Sequence, residues 1–314
     1  MSRRWPNDPY DEQPLPQLRA DELDVKAAAE AYGRKMTAET LRTLQLTTRY
    51  QGQTVPTIGG VLLFGKERLN HFPDSWIHAG RFRGSDKSRI IDSQEIKGRL
   101  LRMPFDAESF ARKHLFKETV IDAITNRDEW TVPFVALREA LINAVVHADY
   151  AEAGGPIRLA IFDDRIEVEN PGILPLGLTV EEIRRGLSKL RNRVIGRAFH
   201  HLKLIEQWGS GIQRMNNACE AAGLPPPVFE ELGNRFRVTF ATSREAPLRV
   251  DAKERAILKA LNDGRGRSTA QIAKAVALSP RATRSRLADL VERGLVTERG
   301  SGPNDPRKLY YRTG

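Results

Sequence analysis

The hydrophobic and polar positions along the chain divide it into segments of helical and strand periodicity. Residues 21–48 carry alanine-rich and leucine-rich turns and predict helix, and further helices are predicted over 106–127, 132–147, 179–187, 192–203 and 211–222. Alternation or short apolar runs predict strands at 76–83, 157–162, 165–169 and 235–240, and a short buried apolar segment at 61–65. The mixture predicts an α+β fold.

The last part of the chain has the pattern of a winged helix-turn-helix. Asp251 is suited to cap a first helix, and Thr269 begins a second. Ser279 and Pro280 provide an N-cap and a first helical residue for a third helix, which is predicted to end near Arg293. Strands are predicted at 294–297 and 309–312, and the residues between them would form the wing.

The faces of the predicted third helix and the local charge indicate what this C-terminal segment binds. At 100° per residue one face carries Thr283, Leu287, Leu290 and Val291, and the opposite face carries Arg281, Arg284, Ser285 and Ala288. Residues 249–314 contain 15 basic and 7 acidic residues, a net charge of +8 out of +10 for the whole chain. A positive field confined to one small domain suits double-stranded DNA. The predicted DNA-binding residues are Arg281, Arg284, Ser285, Arg286, Arg307 and Lys308. The alternative is a solvated basic helix in a protein-interaction module.

The same patterns set the predicted domain boundaries. An extended lead-in covers 1–20, an α+β segment 21–128, a second α+β domain 129–243, a linker 244–250, and the winged helix 251–314. No apolar run reaches membrane-spanning length. The single cysteine, Cys219, excludes an internal disulfide framework and favours a reducing cytoplasm.

Candidate chemistry in the middle domain begins on the helix predicted over 132–147. Glu139 and Asn143 are four residues apart and therefore lie on one helix face. A carboxylate and an amide so placed can orient a water molecule and hold Mg²⁺ beside phosphates, with Glu139 as a catalytic group and Asn143 as a metal ligand. The alternative is an ordinary polar helix face.

Two glycine-containing turns follow in chain order. Asn170 and Gly172 lie in a tight turn at a strand end, where the backbone can approach a ligand closely. Gly209, Ser210 and Gly211 precede a helix, and small residues before a helix N-terminus form a candidate phosphate cradle. All five residues are candidate nucleotide-binding positions together with Asn143.

The order Glu-x-x-x-Asn, strand, Asn-Pro-Gly and Gly-Ser-Gly-Ile resembles the GHKL ATPase fold. Residues 50–240 more closely resemble the C-terminal region of bacterial transcriptional regulators of the Schlafen/AlbA-associated, RecG-like type. This resemblance implies a helix-over-sheet nucleotide-binding domain. It implies that Glu139 activates water, that Asn143 holds Mg²⁺, and that Gly209 and Gly211 contact phosphates. ATP and Mg²⁺ are the cofactors it suggests.

The chain also departs from that family pattern. The Asp-x-Gly turn that reads adenine is replaced by residues 169–172, Glu-Asn-Pro-Gly, and the following segment is short for an ATP lid. The AlbA-type N-terminal domain is expected to be missing, because the chain starts near where that domain would end. No G-x-x-x-x-G-K-[ST] motif is present, so a helicase motor is not expected.

Three functions remain open on the sequence. The first is a transcriptional regulator whose middle domain senses a ligand or dimerises. The second is a slow Mg²⁺-dependent ATPase in DNA metabolism, and the third is a nucleotide-free dimerisation scaffold. A homodimer is expected because winged helices commonly bind paired half-sites.

Overall fold

A six-stranded mixed sheet organises the larger of the two units in this computed structural model. The structure describes residues 9–115, 117–121, 126–152, 155–205, 210–242, 252–261, 266–292, 295–300 and 308–312. The two units are residues 1–247 and 248–314. The division between them falls within the predicted linker at 244–250, all of which lies outside the described residues.

Short elements open the larger unit. Two turns of 3₁₀ helix, Tyr10–Glu12 and Ala20–Glu22, precede α1 (Val25–Tyr32), α2 (Ala38–Thr43), a hairpin of β1 (Thr47–Tyr50) and β2 (Gln53–Pro56), α3 (Ile58–Phe64) and α4 (Arg68–His71). Every residue of α3 is buried. The apolar run predicted at 61–65 therefore belongs to a buried helix.

The remaining elements form the sheet and its helices. They are β3 (Ile77–Phe82), β4 (Ile90–Ile96), α5 (Met103–His114), β5 (Lys117–Ile121), β6 (Asn126–Trp130), α6 (Phe134–His147), β7 (Ile157–Ile161), β8 (Arg165–Pro171), α7 (Val180–Arg184), α8 (Arg193–His201), α9 (Gly211–Ala221), β9 (Val228–Leu232) and β10 (Arg235–Ala241). The strand order is β4-β3-β7-β8-β10-β9, in which β3 and β7 are parallel and the other neighbours antiparallel.

One face of the sheet is apolar and lies beneath the helices. Helix α5 packs on β3, β4 and β7, and α6 packs on β8 and against α9. Because successive strand residues point to opposite faces, every second residue enters this core. The buried strand residues include Ile77, Ala79, Ile157, Leu159, Ile166, Val168, Val238 and Phe240. This arrangement confirms the predicted α+β fold with helices over a sheet.

The opposite face carries a charged row that crosses all six strands. Register places the following residues side by side in this order: Glu95, His78, Arg158, Glu169, Arg237 and Glu230. Glu169 is buried at the centre and lies 3.3 Å from Arg158, 2.5 Å from Arg235 and 2.8 Å from Arg237. Burial alone would raise the pKa of Glu169, but these arginines outweigh it and the pKa is lowered.

Distant side chains satisfy the ends of two helices near the sheet. The amide of Asn192 donates to the carbonyls of Val146 and Ala148 at the end of α6, at 2.9 and 2.7 Å. The buried carboxylate of Asp11 accepts from the backbone N–H groups of Arg193 and Ile195 at the start of α8. These bonds fix the ends of both helices because they pair backbone groups that lack helical partners.

The smaller unit is a three-helix domain with a two-stranded sheet. It contains α10 (Ala252–Ala260), α11 (Thr269–Ala275), α12 (Pro280–Glu292), β11 (Val296–Arg299) and β12 (Leu309–Arg312), with β11 and β12 antiparallel. Ser279 Oγ accepts from the Ala282 N–H at 3.2 Å, as the predicted N-cap requires. The observed elements confirm the predicted winged helix-turn-helix. Asp251 and residues 301–307 lie outside the described residues.

One prediction about the middle of the chain differs from the structure. The helix predicted over 106–127 is wrong, because α5 ends at His114 and the antiparallel strands β5 and β6 follow. The β-branched run 119–121 favours a strand, which the helical interpretation overlooked. The boundary predicted at 128/129 falls inside the larger unit, where β3 pairs directly with β7.

Candidate functional site

A cavity lies between α6, the end of β8, α7 and the beginning of α9. Its apolar walls include Ala144, Val168, Met215, Phe229, Phe236 and Val238. Polar side chains also line it: Glu139, Asn143, His147, Asn170, Ser188, Lys189 and Arg214. The structure therefore brings four sequence-predicted positions, Glu139, Asn143, Asn170 and Gly172, to the same cavity as Gly211.

Glu139 and Asn143 lie on one face of α6, one turn apart. The Asn143 amide donates to Glu139 Oε1 at 3.3 Å. The other carboxylate oxygen of Glu139 accepts from Arg214 Nη2 at 2.8 Å. Glu139 is only 9% exposed, whereas the Arg214 side chain is 33% exposed, so the pair lies at the edge of the buried interior. Both oxygens of the carboxylate thus have partners from within the chain.

Gly211 allows α9 to begin directly against this carboxylate. A Cβ atom at position 211 would lie 2.1 Å from Glu139 Oε1, far inside van der Waals contact. Ser210 precedes the helix, and its hydroxyl accepts from Arg214 Nη1 at 3.1 Å. The start of α9 and its Arg214 side chain are therefore positioned at the cavity, and Gly209 lies outside the described residues.

The end of β8 presents Asn170 to the cavity, whereas the preceding residue, Glu169, points to the opposite face of the sheet. Asn170 is buried, and its amide donates to the Pro171 carbonyl at 2.9 Å. Glu169 belongs to the charged row on the opposite face of the sheet. Gly172 has a φ of +89°, and a Cβ there would lie 2.7 Å from Asp149 Cβ. Asn170 is consequently the polar side chain that the end of β8 offers to a ligand.

Arg191 holds the rim of the cavity together. Its guanidinium donates to the His147 carbonyl at 3.1 Å, to Asp149 at 3.1 Å and to the Ile173 carbonyl. Burial, with a smaller contribution from the Arg191 charge, lowers the pKa of His147 from 6.5 to about 4. His147 is therefore neutral near pH 7.

Sequence reasoning missed Arg214, Arg191 and Lys189. Arg214 lies 75 residues after its partner Glu139, and no local pattern links the two. Arg214 does follow Gly211 by three residues on a predicted helix, so the glycine-helix junction was the one signal that could have drawn attention to it. The tertiary fold therefore determines which cationic side chains lie near Glu139 and the cavity.

The lining combines apolar walls with polar and cationic groups of the types that bind nucleotides. Apolar walls suit a planar base, Asn170 offers hydrogen bonds, and the α9 N-terminus with Arg214 and Lys189 suits phosphates. The cavity offers few side-chain ligands for Mg²⁺. The described part of the chain contains no group of three or more His, Cys, Asp or Glu residues able to hold a metal ion. A cation beside Asn143 would depend on oxygens of the ligand itself.

In the smaller unit, helix α12 separates its buried and exposed residues. Thr283, Leu287 and Leu290 are fully buried against the other helices and β11. The opposite side presents exposed side chains from positions predicted to contact DNA, namely Arg281, Arg284 and Ser285. This is the arrangement by which a recognition helix enters a major groove.

The other predicted DNA-binding residues are placed differently. Arg286 is half-buried, with Nη1 4.0 Å from Glu254 Oε1 on α10. Lys308 Nζ lies 3.0 Å from Glu298 Oε1 across the two strands. Arg307 lies outside the described residues. Arg286 and Lys308 thus have carboxylate partners within the unit.

Among the residues that the structure describes, no helix is long and apolar enough to cross a membrane.

Comparison with protein families identifies both domain types. Residues 154–240 match the family described as "Putative ATP-dependent DNA helicase recG C-terminal". Residues 250–297 match the family described as "Winged helix-turn-helix DNA-binding". The chain therefore carries an ATPase-type domain of the RecG-like C-terminal kind, followed by a winged helix of the DNA-binding kind.

A solved structure shares the fold. The DIP2311 protein from Corynebacterium diphtheriae superposes with a TM-score of 0.62 at 20% sequence identity. The similarity covers 98% of this chain and 64% of that protein, so this chain spans less than two thirds of its length. A search of curated proteins finds no match to the sequence.

Proposed function

We propose that this protein is a DNA-binding transcriptional regulator whose sheet-containing unit senses an adenine nucleotide. The observation that carries the DNA-binding part is the division of α12 into two sides. Thr283 and Leu287 are fully buried, while Arg281 and Arg284 extend into solvent. Cationic side chains on an exposed recognition helix bind phosphates and base edges of a duplex.

DNA binding at increasing salt tests this assignment. Filter binding to a mixed-sequence duplex should show a steep fall in affinity with salt. Arg281→Ala combined with Arg284→Ala should weaken binding and lower the slope of log K against log salt by about 2, since each phosphate contact contributes about 0.9. Arg286→Ala is the matched control on the same helix, because Arg286 has Glu254 as a partner. An unchanged slope in the double variant would refute the recognition-helix assignment.

The nucleotide-sensing part rests on the composition of the cavity. Asn170 would hold the base, and the backbone at Gly211 with Arg214 and Lys189 would hold phosphates. Mg²⁺ bound with the nucleotide would supply charge neutralisation beside Asn143. Binding of a phosphate chain would compete for Arg214 with its present partner, Glu139. The ligand would in this way rearrange the start of α9.

Calorimetry with a non-hydrolysable ATP analogue and Mg²⁺ tests the sensor. Wild-type protein should release heat at micromolar to millimolar nucleotide, and Asn170→Ala should lose at least tenfold in affinity. Asn70→Ala is the control, because Asn70 is an exposed asparagine on α4 outside this cavity. Absence of heat from the wild type at millimolar nucleotide would leave the unit as a scaffold.

A slow ATPase is the second candidate, favoured by the presence of Glu139 and Asn143 in one cavity. Each oxygen of Glu139 already accepts one hydrogen bond, from Asn143 or from Arg214, so a water molecule would have to reach a remaining lone pair of the carboxylate. Phosphate release that depends on Mg²⁺ and is abolished by Glu139→Gln would support the enzyme. Nucleotide binding with no release would support the sensor.

The proposal includes a homodimer acting in the cytoplasm. Winged helices usually read paired half-sites, so two copies of α12 would contact one operator. Light scattering coupled to gel filtration, with and without nucleotide, measures the assembly state. A dimer that forms with no measurable nucleotide affinity would favour the scaffold function instead.

A further inference from the structure

A second cavity of about 370 Å³ lies in the larger unit, away from the nucleotide cavity. It is bounded by α1, the end of α3, the start of α4 and residues 97–99 after β4. None of its lining residues also lines the cavity at Glu139 and Asn170. It therefore belongs to neither of the functions already discussed.

Arg68 on the wall of this cavity is a buried cation without a carboxylate partner among the residues that the structure describes. The side chain is 7% exposed. Its Nη2 donates to the Lys97 carbonyl at 3.2 Å and lies 3.9 Å from Met103 Sδ. Its Nε is buried and has no hydrogen-bond partner. A guanidinium carries five N–H donors, and the two contacts of Nη2 leave the buried Nε donor unsatisfied.

This burial of Arg68 is energetically unfavourable unless a bound anion balances its charge. Burial of a charge is compensated in proteins by an opposite charge and by hydrogen bonds to every donor. The burial lowers the pKa of Arg68. Carbonyl and thioether acceptors supply no negative charge, and the planar guanidinium fork matches an oxyanion.

The neighbouring side chains add positive charge at the same cavity. Lys66, Lys97 and Arg99 line it with Arg68, against two acids, Asp24 and Glu67. Asp24 is already engaged, because Oδ1 accepts from the Ala27 N–H and Oδ2 from Arg99 at 3.1 Å. Lys97 and Arg99 have carboxylate partners as well, because Lys97 Nζ lies 2.5 Å from Glu95 Oε2 and Arg99 Nη1 lies 3.9 Å from Glu30 Oε2. The buried charge that an anion would balance is therefore that of Arg68, and the neighbouring cations strengthen the positive field around it.

We infer that this cavity is a binding site for a phosphate group, with Arg68 as the central donor and Lys66, Lys97 and Arg99 around it. The volume leaves room for a small organic group attached to the phosphate, so phosphate monoesters are the expected class of ligand. The site is separate from the phosphate-binding role proposed for the start of α9.

Thermal unfolding in inorganic phosphate tests the site with the full-length protein. At low-millimolar phosphate the wild-type Tm should rise with concentration, beyond the effect of chloride at equal ionic strength. Arg68→Met should abolish that rise. In phosphate-free buffer Arg68→Met should fold with a Tm equal to or above that of wild type, because the substitution removes a buried charge without a counter-ion.

Three controls separate the site from general salt effects and from the nucleotide cavity. Arg42→Met on α2 changes an exposed arginine outside both cavities and should respond to phosphate like wild type. Arg214→Ala should also keep the response. Lys97→Met keeps Arg68 in place and should weaken phosphate binding about threefold to tenfold by calorimetry, since one phosphate contact is lost.

The phosphate response of Arg68→Met also shows when the proposed site would be wrong. Phosphate stabilises many proteins through exclusion from their surface, and that effect would persist in Arg68→Met. A phosphate response that is identical in wild type and Arg68→Met, or one that chloride reproduces, excludes a phosphate site at Arg68. Loss of the response in Arg214→Ala alone would assign the binding to the nucleotide cavity.

Discussion

Several arginine side chains in the sheet-containing unit pair with carboxylates of that unit, whereas two arginines on α12 of the winged helix extend into solvent. Arg214 pairs with Glu139, and the buried Glu169 is surrounded by three arginines. Arg281 and Arg284 make no hydrogen bond or ion pair within the part of the chain that is described. Internal pairs position a fold or a cavity, whereas unpaired exposed cations are available to an external polyanion.

The largest expected effect concerns the centre of the charged row. Glu169→Gln should destabilise the larger unit by about 3–5 kcal/mol, because a buried carboxylate lost from a paired site leaves its cations uncompensated. Urea denaturation measures the change. Glu95→Gln, at the exposed end of the same row, is the control and should have a much smaller effect. Equal effects at both positions would mean that burial does not strengthen the network.

A pH-dependent effect is expected at Asp11, where the buried carboxylate is paired with backbone N–H groups. Burial raises the pKa of Asp11 from 3.8 to about 6. A raised folded-state pKa contributes stability below pH 4, and that stability is lost as the pH rises through 6. The advantage of wild type over Asp11→Asn should therefore shrink by up to about 3 kcal/mol between pH 4 and pH 7.

Urea denaturation of both proteins at several pH values checks this prediction. Asn retains one acceptor oxygen where Asp11 uses two, so the variant should be the less stable protein at pH 4. A difference that is constant across the pH range would show that Asp11 does not titrate differently in the folded state.

A smaller effect is expected where α9 meets Glu139. Gly211→Ala should cost about 1–3 kcal/mol, because the new methyl group overlaps the carboxylate and displaces it from Arg214. Nucleotide affinity measured by calorimetry should fall as well. The control is Gly98→Ala, whose added methyl would meet only Asp106 Oδ2, at 3.4 Å. An unaffected cavity in Gly211→Ala would contradict the close packing at this position.

The smallest effect on stability is expected on the exposed side of α12. Arg281→Ala and Arg284→Ala should each change the unfolding free energy by less than about 0.5 kcal/mol, as for surface residues without partners. Leu287→Ala on the buried side of the same helix should cost about 2–5 kcal/mol. Thermal unfolding provides the comparison. A large loss at Arg281 would mean that this arginine stabilises the fold and is not reserved for DNA.

Local patterns were sufficient where one element contains all the information. Ser279 and Pro280 predicted the start of α12, and the separation of its faces followed from helical periodicity. The four-residue spacing of Glu139 and Asn143 likewise predicted their common face on α6. Patterns failed for β4, most of whose residues are exposed, so no alternation of burial marks it.

Sequence alone therefore determined the two domain types, the basic recognition helix and the carboxylate–amide pair on α6, because these depend on neighbours within a few residues. Only the tertiary structure decided which charges are neutralised. It paired Arg214 with Glu139 and Asp11 with the start of α8. It also aligned the residues of the charged row across six strands. Partners separated by tens of residues carry no periodic signal, and their pairing is set by the strand order and the packing of the helices.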